Sequence, residues 1–154
     1  MAGLTEGVWM YLEDLRLGQE IACGGFTLSV AEIIDFATRF DPQPWHLDET
    51  LARETYFGGL CASGVHTQAV SIGLMVRAIA GVRIVAGGSL DQATFLVPVR
   101  PDRRYDVTAK WIELRPSARN PSRGVAVIEI TTTDAEGGLV MQGGVTYIVG
   151  RKSE

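Results

Sequence analysis

The sequence has few cysteines, and they form neither a metal-ligand pattern nor a disulfide framework. Cys23 and Cys61 are the two cysteines of the 154-residue chain, and they lack the CxxC or Cys/His spacing of a zinc site. Small secreted domains that depend on disulfides carry a denser set. The pattern therefore predicts reduced thiols in a cytoplasmic protein.

The chain also lacks a surplus of positive charge and a basic, apolar leader. It has 14 Lys and Arg against 18 Asp and Glu, a formal net charge of -4. Sequence-independent binding to the phosphate backbone of nucleic acids requires a basic surface, so nucleic acid is not an expected partner. Residues 1–9 contain no basic region before an apolar run, so we expect no secretion signal.

One apolar run, residues 60–80, is long enough to resemble a membrane span. It contains His66, Gln68 and Arg77, which are costly to place in hydrocarbon. We therefore expect a buried core helix here and no membrane partner.

The remaining composition is that of a globular protein. Hydrophobic residues make up 46% and charged residues 21%, with 18 glycines and 6 prolines. A chain of this length can bury a core without disulfides or a structural metal. We expect a single domain spanning residues 1–154.

A first helix is predicted by a capping box at Ser29 and Glu32, in which each residue can bond the backbone of the other. Apolar residues then recur at helical spacing until Asp41-Pro42 interrupts them. The following segment, residues 41–46, contains two prolines and is predicted to be a stiff loop that carries polar side chains.

Two further helices are predicted before residue 82. Asp48 can cap a short helix that continues through Tyr56 and stops at Gly58-Gly59. Ser63 can cap a long helix with a broad apolar face that ends at Gly81. This helix is expected to lie at the centre of the molecule.

The second half of the chain has the alternating pattern of β-strands. The predicted strands lie near residues 82–85, 92–97, 105–111, 126–132 and 145–149, with a further one near residues 19–28. Polar turns separate them, as in antiparallel sheets. One long helix and several consecutive strands predict an α+β fold, with the sheet curled around the helix.

Asp41 and His46 are a candidate acid/base pair. A carboxylate and an imidazole can together position one water, one accepting its proton while a proton is returned to the substrate. Because His46 changes charge near neutral pH, either residue can serve as the base. Periodicity alone does not place their side chains together.

The run from Phe40 to Asp48, FDPQPWHLD, followed by Phe57-Gly58-Gly59 and Ala62-Ser63-Gly64, resembles the hydratase motif of the MaoC-like dehydratases, which include the (R)-specific enoyl-CoA hydratases. The resemblance extends to residues 100–102 and 141–147 and so covers most of the chain. Gln43 is a departure, because many members of that family have Asn there.

This resemblance implies a hot-dog fold with the motif on a segment that overhangs the central helix, and a homodimer or higher homo-oligomer. It places Asp41 and His46 at the catalytic positions and Gly64 at the position whose backbone N–H binds the thioester oxygen. The implied reaction is reversible hydration of a trans-2-enoyl thioester, carried by CoA or acyl carrier protein, to a 3-hydroxyacyl thioester. No metal or redox cofactor is required.

Other polar residues have structural interpretations that we prefer. His66 is expected to be a hydrogen-bonded, partly buried histidine. Ser71 lies near the family's hydroxyl position inside the central helix, but Ile72 is the other candidate for that position, so Ser71 is not included among the catalytic residues. Arg100, Arg103 and Arg104 can meet the phosphates of a CoA arm, but solvated surface charge is the more common role.

Two alternative functions remain at this point. A noncatalytic acyl-thioester-binding protein retains the fold without turnover, and Gln43 keeps that alternative open. A hot-dog thioesterase usually carries a carboxylate on or near the central helix, whereas residues 64–80 contain no Asp or Glu.

Overall fold

The computed structural model describes residues 8–152, which form one antiparallel sheet, one long helix and several short helical segments. After a 3-10 turn at Leu12–Asp14, the elements are β1 (Glu20–Phe26), α1 (Val30–Phe40), α2 (Pro44–Leu47), α3 (Glu49–Arg53), α4 (Gly64–Ala78), β2 (Ile84–Phe95), β3 (Tyr105–Pro116), β4 (Arg123–Asp134) and β5 (Leu139–Gly150).

The sheet has the strand order β1-β3-β4-β5-β2, and every neighbouring pair is antiparallel. Strand β3 buries alternate residues, as period-2 geometry requires; these are Tyr105, Val107, Ala109 and Trp111. Helix α4 packs on β1, β3 and β4, and its Met75 is fully buried. The predicted α+β fold, with a sheet around a long helix, is confirmed.

Side-chain caps fix where the helices begin, and the sequence predicted each of these caps. The Glu32 backbone N–H donates to Ser29 Oγ at 3.1 Å, and the Ser29 N–H donates to the Glu32 carboxylate at 2.7 Å. Asp48 Oδ1 accepts from the first turn of α3, and Ser63 Oγ accepts from the Val65 N–H at 3.2 Å. Such caps are each worth about 1 kcal/mol.

Three sequence-based boundaries were wrong. The short helix capped by Asp48, predicted to continue through Tyr56, ends at Arg53. The segment predicted as a stiff loop contains the one-turn helix α2, because Pro44 occupies the first helical position, where its missing N–H costs nothing. The runs near residues 82–85 and 92–97 belong to a single strand, β2. Its middle contains Gly87-Gly88, which hid the strand from a pattern based on β-propensity, and pairing with β5 carries it through.

A buried polar contact ties α4 to the sheet. The hydroxyls of Ser71 and Thr132 lie 2.9 Å apart, and both residues are fully buried. Each hydroxyl satisfies the other, which avoids the penalty of an unpaired polar group in the core. Within residues 8–152, none of the helices is long and apolar enough to span a bilayer.

Candidate active site

A cleft of about 530 Å³ opens where the end of α1, helix α2 and the start of α4 meet the end of β2. Its polar lining includes Asp41, Gln43 and His46, together with Gly64 at the first turn of α4. Its walls are mostly apolar and include Trp45, Tyr56, Phe57, Phe95, Leu96 and Val97. An apolar cleft with a few convergent polar groups is the usual form of a small-molecule site.

Asp41 caps the C-terminal end of α1 and is held by two side-chain donors. Ser63 Oγ donates to Asp41 Oδ2 at 2.6 Å, and Gln43 Nε2 donates to Asp41 Oδ1 at 2.9 Å. The Ser63 hydrogen bond is the main cause that lowers the pKa of Asp41, with the Gln43 hydrogen bond acting in the same direction against burial. The carboxylate is therefore ionised, and the longer amide of Gln43 still reaches it.

His46 is buried, and its two ring nitrogens have partners that fix its tautomer. The ring nitrogen Nδ1 lies 2.7 Å from the Cys61 carbonyl oxygen, which can only accept, so Nδ1 carries the proton. The other nitrogen, Nε2, lies 3.1 Å from the Trp45 indole N–H, which can only donate. The ring is therefore neutral, and the lone pair of Nε2 accepts from the Trp45 indole.

The structure brings Asp41 and His46 together. Asp41 Oδ2 lies 3.6 Å from His46 Nε2, which is too long for a direct hydrogen bond. Neither atom carries a proton in this arrangement, so both are acceptors. If the indole N–H leaves Nε2, two acceptors at this separation suit one water molecule that donates a hydrogen to each.

Gly64 lies at the start of α4 on the wall of the same cleft. Its backbone N–H has no intrahelical acceptor, because the first N–H groups of a helix have none. The helix dipole adds a partial positive charge at this point. A Cβ at residue 64 would lie 3.0 Å from the ring of Phe95, so glycine also provides the space that Phe95 occupies.

Arg100 has a role that the sequence did not indicate. Its guanidinium donates to the carbonyls of Gly59 at 2.7 Å and Leu60 at 3.3 Å, and also to that of Phe57. It therefore fixes the segment that leads to the Cys61 carbonyl and to α4. A pairing of an arginine with distant main-chain carbonyls has no local sequence signal.

None of the three arginines considered as phosphate contacts lines this cleft. Arg104 pairs with Asp106 at 3.0 Å. With Arg103, it lines a separate cleft whose wall also contains Asp134 and Glu136. The mixture of charges on that wall does not single it out for an anion.

Three polar residues of the central region do not take part in the candidate pair. Ser71 faces the sheet through its contact with Thr132. His66 stacks on Phe36 with ring centroids 4.2 Å apart, and its Nδ1 has no hydrogen-bond partner among the described residues, contrary to expectation. Burial raises the pKa of the Cys61 thiol, which keeps it protonated and poorly nucleophilic.

Within residues 8–152, no group of three or more His, Cys, Asp or Glu side chains is placed to hold a metal ion. The residues that could bind a ligand are those of the cleft. Its donors and acceptors suit water and a carbonyl oxygen.

Comparison with known proteins identifies the family. Residues 15–133 match the model of the MaoC-like domain, MaoC_dehydratas. The chain belongs to the MaoC-like dehydratase family. The uncharacterized protein YdeM of Bacillus subtilis is 30% identical over 143 residues, which is 92% of this chain and the whole of that protein.

Solved structures agree with this assignment. The MaoC-like dehydratase from Rhodospirillum rubrum is 32% identical, with a TM-score of 0.84 over 94% of this chain and 99% of that one. The (R)-hydratase from A. caviae is 19% identical, with a TM-score of 0.67 over 88% of this chain and 97% of that one. A double hot-dog protein from Mycobacterium tuberculosis, 22% identical, matches with a TM-score of 0.74 over 95% of this chain and 46% of that one. The last two share the fold, which is the predicted hot-dog fold.

His66 generates a prediction for the pH dependence of stability. Burial lowers the pKa of His66, with the nearby Glu32 carboxylate opposing, whereas an unfolded histidine titrates near about 6.5. The unfolded chain therefore binds this proton more readily. Stability is fully present above about pH 6.5 and falls as the pH drops toward the lowered folded value.

We expect His66→Gln to reduce the fall in the free energy of unfolding between about pH 6.5 and 5, measured by urea denaturation at several pH values. His46 is present in both proteins, so the difference isolates His66. Identical pH slopes for the two proteins would contradict the prediction.

Proposed function

We propose that this protein catalyses reversible hydration of a trans-2-enoyl thioester to a 3-hydroxyacyl thioester. The observation that carries the proposal is the 3.6 Å separation of Asp41 Oδ2 and His46 Nε2 on the wall of an apolar cleft that also contains the start of α4. Membership of the MaoC-like dehydratase family supports the same reaction class.

In this proposal, one water donates its hydrogens to Asp41 and His46 and directs its oxygen toward C3 of the substrate. His46 Nε2 takes one proton as the C3–O bond forms, and the C2–C3 double bond shifts its electrons toward the thioester oxygen. The Gly64 N–H stabilises the resulting enolate. The imidazolium then returns the proton to C2, so one water is added and both residues regain their starting states.

The first test is turnover of a panel of trans-2-enoyl thioesters of CoA and of acyl carrier protein, followed by loss of the conjugated enoyl absorbance. We expect Asp41→Asn and His46→Gln each to lower kcat by about 10²- to 10⁴-fold, the usual contribution of acid/base groups. His66→Gln is the matched control, because it makes the same change at a histidine that does not line the cleft, and it should retain activity.

Other outcomes of this assay discriminate the alternatives. Absence of turnover across chain lengths, with tight binding of saturated acyl-CoA, would favour a noncatalytic binding protein. Release of free CoA thiol without loss of the carbon–carbon double bond would favour a thioesterase, which the absence of carboxylates from residues 64–80 disfavours.

Gly64 permits a test of the oxyanion contact by two substitutions at one position. Gly64→Ala and Gly64→Pro both place a Cβ against Phe95, but only proline removes the N–H. Proline is favoured at the first helical position, and the extended backbone of Ser63, with ψ 142°, is compatible with a following proline.

We expect the proline variant to have a kcat about 10²- to 10³-fold below that of the alanine variant, the usual cost of losing one oxyanion donor. Thermal unfolding would verify that both variants remain folded. Equal kcat values in the two folded variants would remove Gly64 from the mechanism.

The proposed assembly is a homodimer formed through the β2 edge of the sheet. Strand β2 is an edge strand whose residues are almost all exposed. The exposed apolar residues on and just after it are Val85, Leu90, Phe95, Leu96 and Val97. A long apolar edge is a ready site for pairing with a second chain, and two copies can meet there through a two-fold axis.

Sedimentation at micromolar concentration should give twice the mass of the chain. Leu90→Lys should shift the protein toward monomer, because it places a charge in the paired edge. Leu17→Lys is the control, since Leu17 is similarly exposed, 61% against 65%, but bridges to β3 near the β1 side of the sheet. A monomeric wild-type protein, or equal effects of the two variants, would reject this assembly.

A further inference from the structure

The indole of Trp45 makes a contact that the proposed mechanism does not use. Its Nε1–H donates to His46 Nε2 at 3.1 Å, with the two rings at 72° to each other. Meanwhile the other nitrogen of His46 is committed to the Cys61 carbonyl. Both nitrogens of the candidate base are therefore occupied by protein groups.

This contact conflicts with the proposed action of His46. A neutral imidazole has one nitrogen lone pair that accepts, and the indole N–H occupies it. A water that is to lose its proton to Nε2 needs the same lone pair. Once Nε2 is protonated, it would direct an N–H toward the indole N–H, which is repulsive. The indole contact and the action of His46 as a base therefore exclude each other.

The indole of Trp45 lies where it can move away from His46. It is half-buried and lies on the cleft wall beside Phe57, with ring centroids 5.6 Å apart. Its helix, α2, has only four residues. A thioester that enters the cleft meets the indole, whereas the buried His46 ring stays anchored by its Nδ1–H.

We propose that Trp45 is a positioning residue that masks the His46 lone pair in the empty cleft and releases it when an acyl thioester binds. This inference rests on the proposed hydratase function. With the indole N–H on Nε2, that nitrogen lies 3.6 Å from Asp41 Oδ2. In the occupied state the substrate water replaces the indole N–H, so the base becomes available only when a substrate is present.

The contact itself can be measured without turnover. In ¹⁵N-labelled protein, we expect a scalar coupling across the hydrogen bond between Trp45 Nε1 and His46 Nε2. Trp45→Phe identifies the indole signal, with Trp9 and Trp111 as internal references, and His66→Gln identifies the imidazole signals. Saturation with butanoyl-, hexanoyl- or octanoyl-CoA should abolish the coupling and speed exchange of the indole hydrogen.

Kinetics test the consequence for the reaction. Because Trp45→Phe removes a hydrogen bond that the substrate must break, we expect KM to fall about two- to tenfold, the worth of one net hydrogen bond, with kcat little changed. Phe57→Leu is the control: it alters the same aromatic wall but removes no donor, and it should not lower KM.

The outcomes separate this inference from the function on which it rests. Absence of the coupling in the ligand-free protein, its persistence in the acyl-CoA complex, or a fall in kcat with KM unchanged would each overturn the masking role while leaving hydration intact. Failure of all three acyl-CoA probes to perturb any signal would instead reject the proposed function, and the release step with it.

Discussion

The geometry of the candidate site depends on the hydroxyl of Ser63. It donates to Asp41 Oδ2 and accepts from the Val65 N–H in the first turn of α4. A single fully buried oxygen thus joins the carboxylate at the end of α1 to the helix start that presents the Gly64 N–H. Because Ser63 is fully buried, neither element can shift without leaving its hydroxyl with an unmade hydrogen bond. The Ser63 hydroxyl therefore sets how the Asp41 carboxylate lies relative to the start of α4 and the Gly64 N–H.

His46 depends on a second set of anchors that lies outside its own helix. The Cys61 carbonyl accepts from its Nδ1–H, and Arg100 holds the carbonyls of the preceding residues. These hydrogen bonds therefore hold the segment between α3 and α4 in place, although it contains little regular structure. Gly58, with φ 63°, allows this segment to turn through a backbone conformation that is unfavourable for other residues. Rigid support of this kind is what a base needs to present one nitrogen in one direction.

The parts that could be predicted from sequence are those with local causes. Ser29, Asp48 and Ser63 begin helices because their side chains bond the backbone two or three residues away, and β3 alternates because one face is buried. The Asp41–His46 approach was implied by the family resemblance alone, because periodicity does not fix two side chains across a proline-rich segment. Arg100 and the Cys61 carbonyl escaped prediction for a related reason: main-chain acceptors are the same in every residue. The sequence pattern divided β2 into two strands because glycine has a low β-propensity. In the structure, pairing with β5 keeps these glycines in one strand.

The protonation states at the site constrain the chemistry more strongly than the identity of the residues does. Asp41 is ionised because Ser63 and Gln43 donate to it, and His46 is neutral because its partners require it. The Asp41–His46 pair thus provides two acceptors and no acid. A mechanism that begins with proton donation to the substrate is therefore disfavoured, and water must supply the proton that reaches C2. Asp41 Oδ2 has a further lone pair beyond the one used by Ser63, so it can orient the water without giving up its anchor. His46 has no second lone pair at Nε2, which is why it alone must lose a protein contact before it can act.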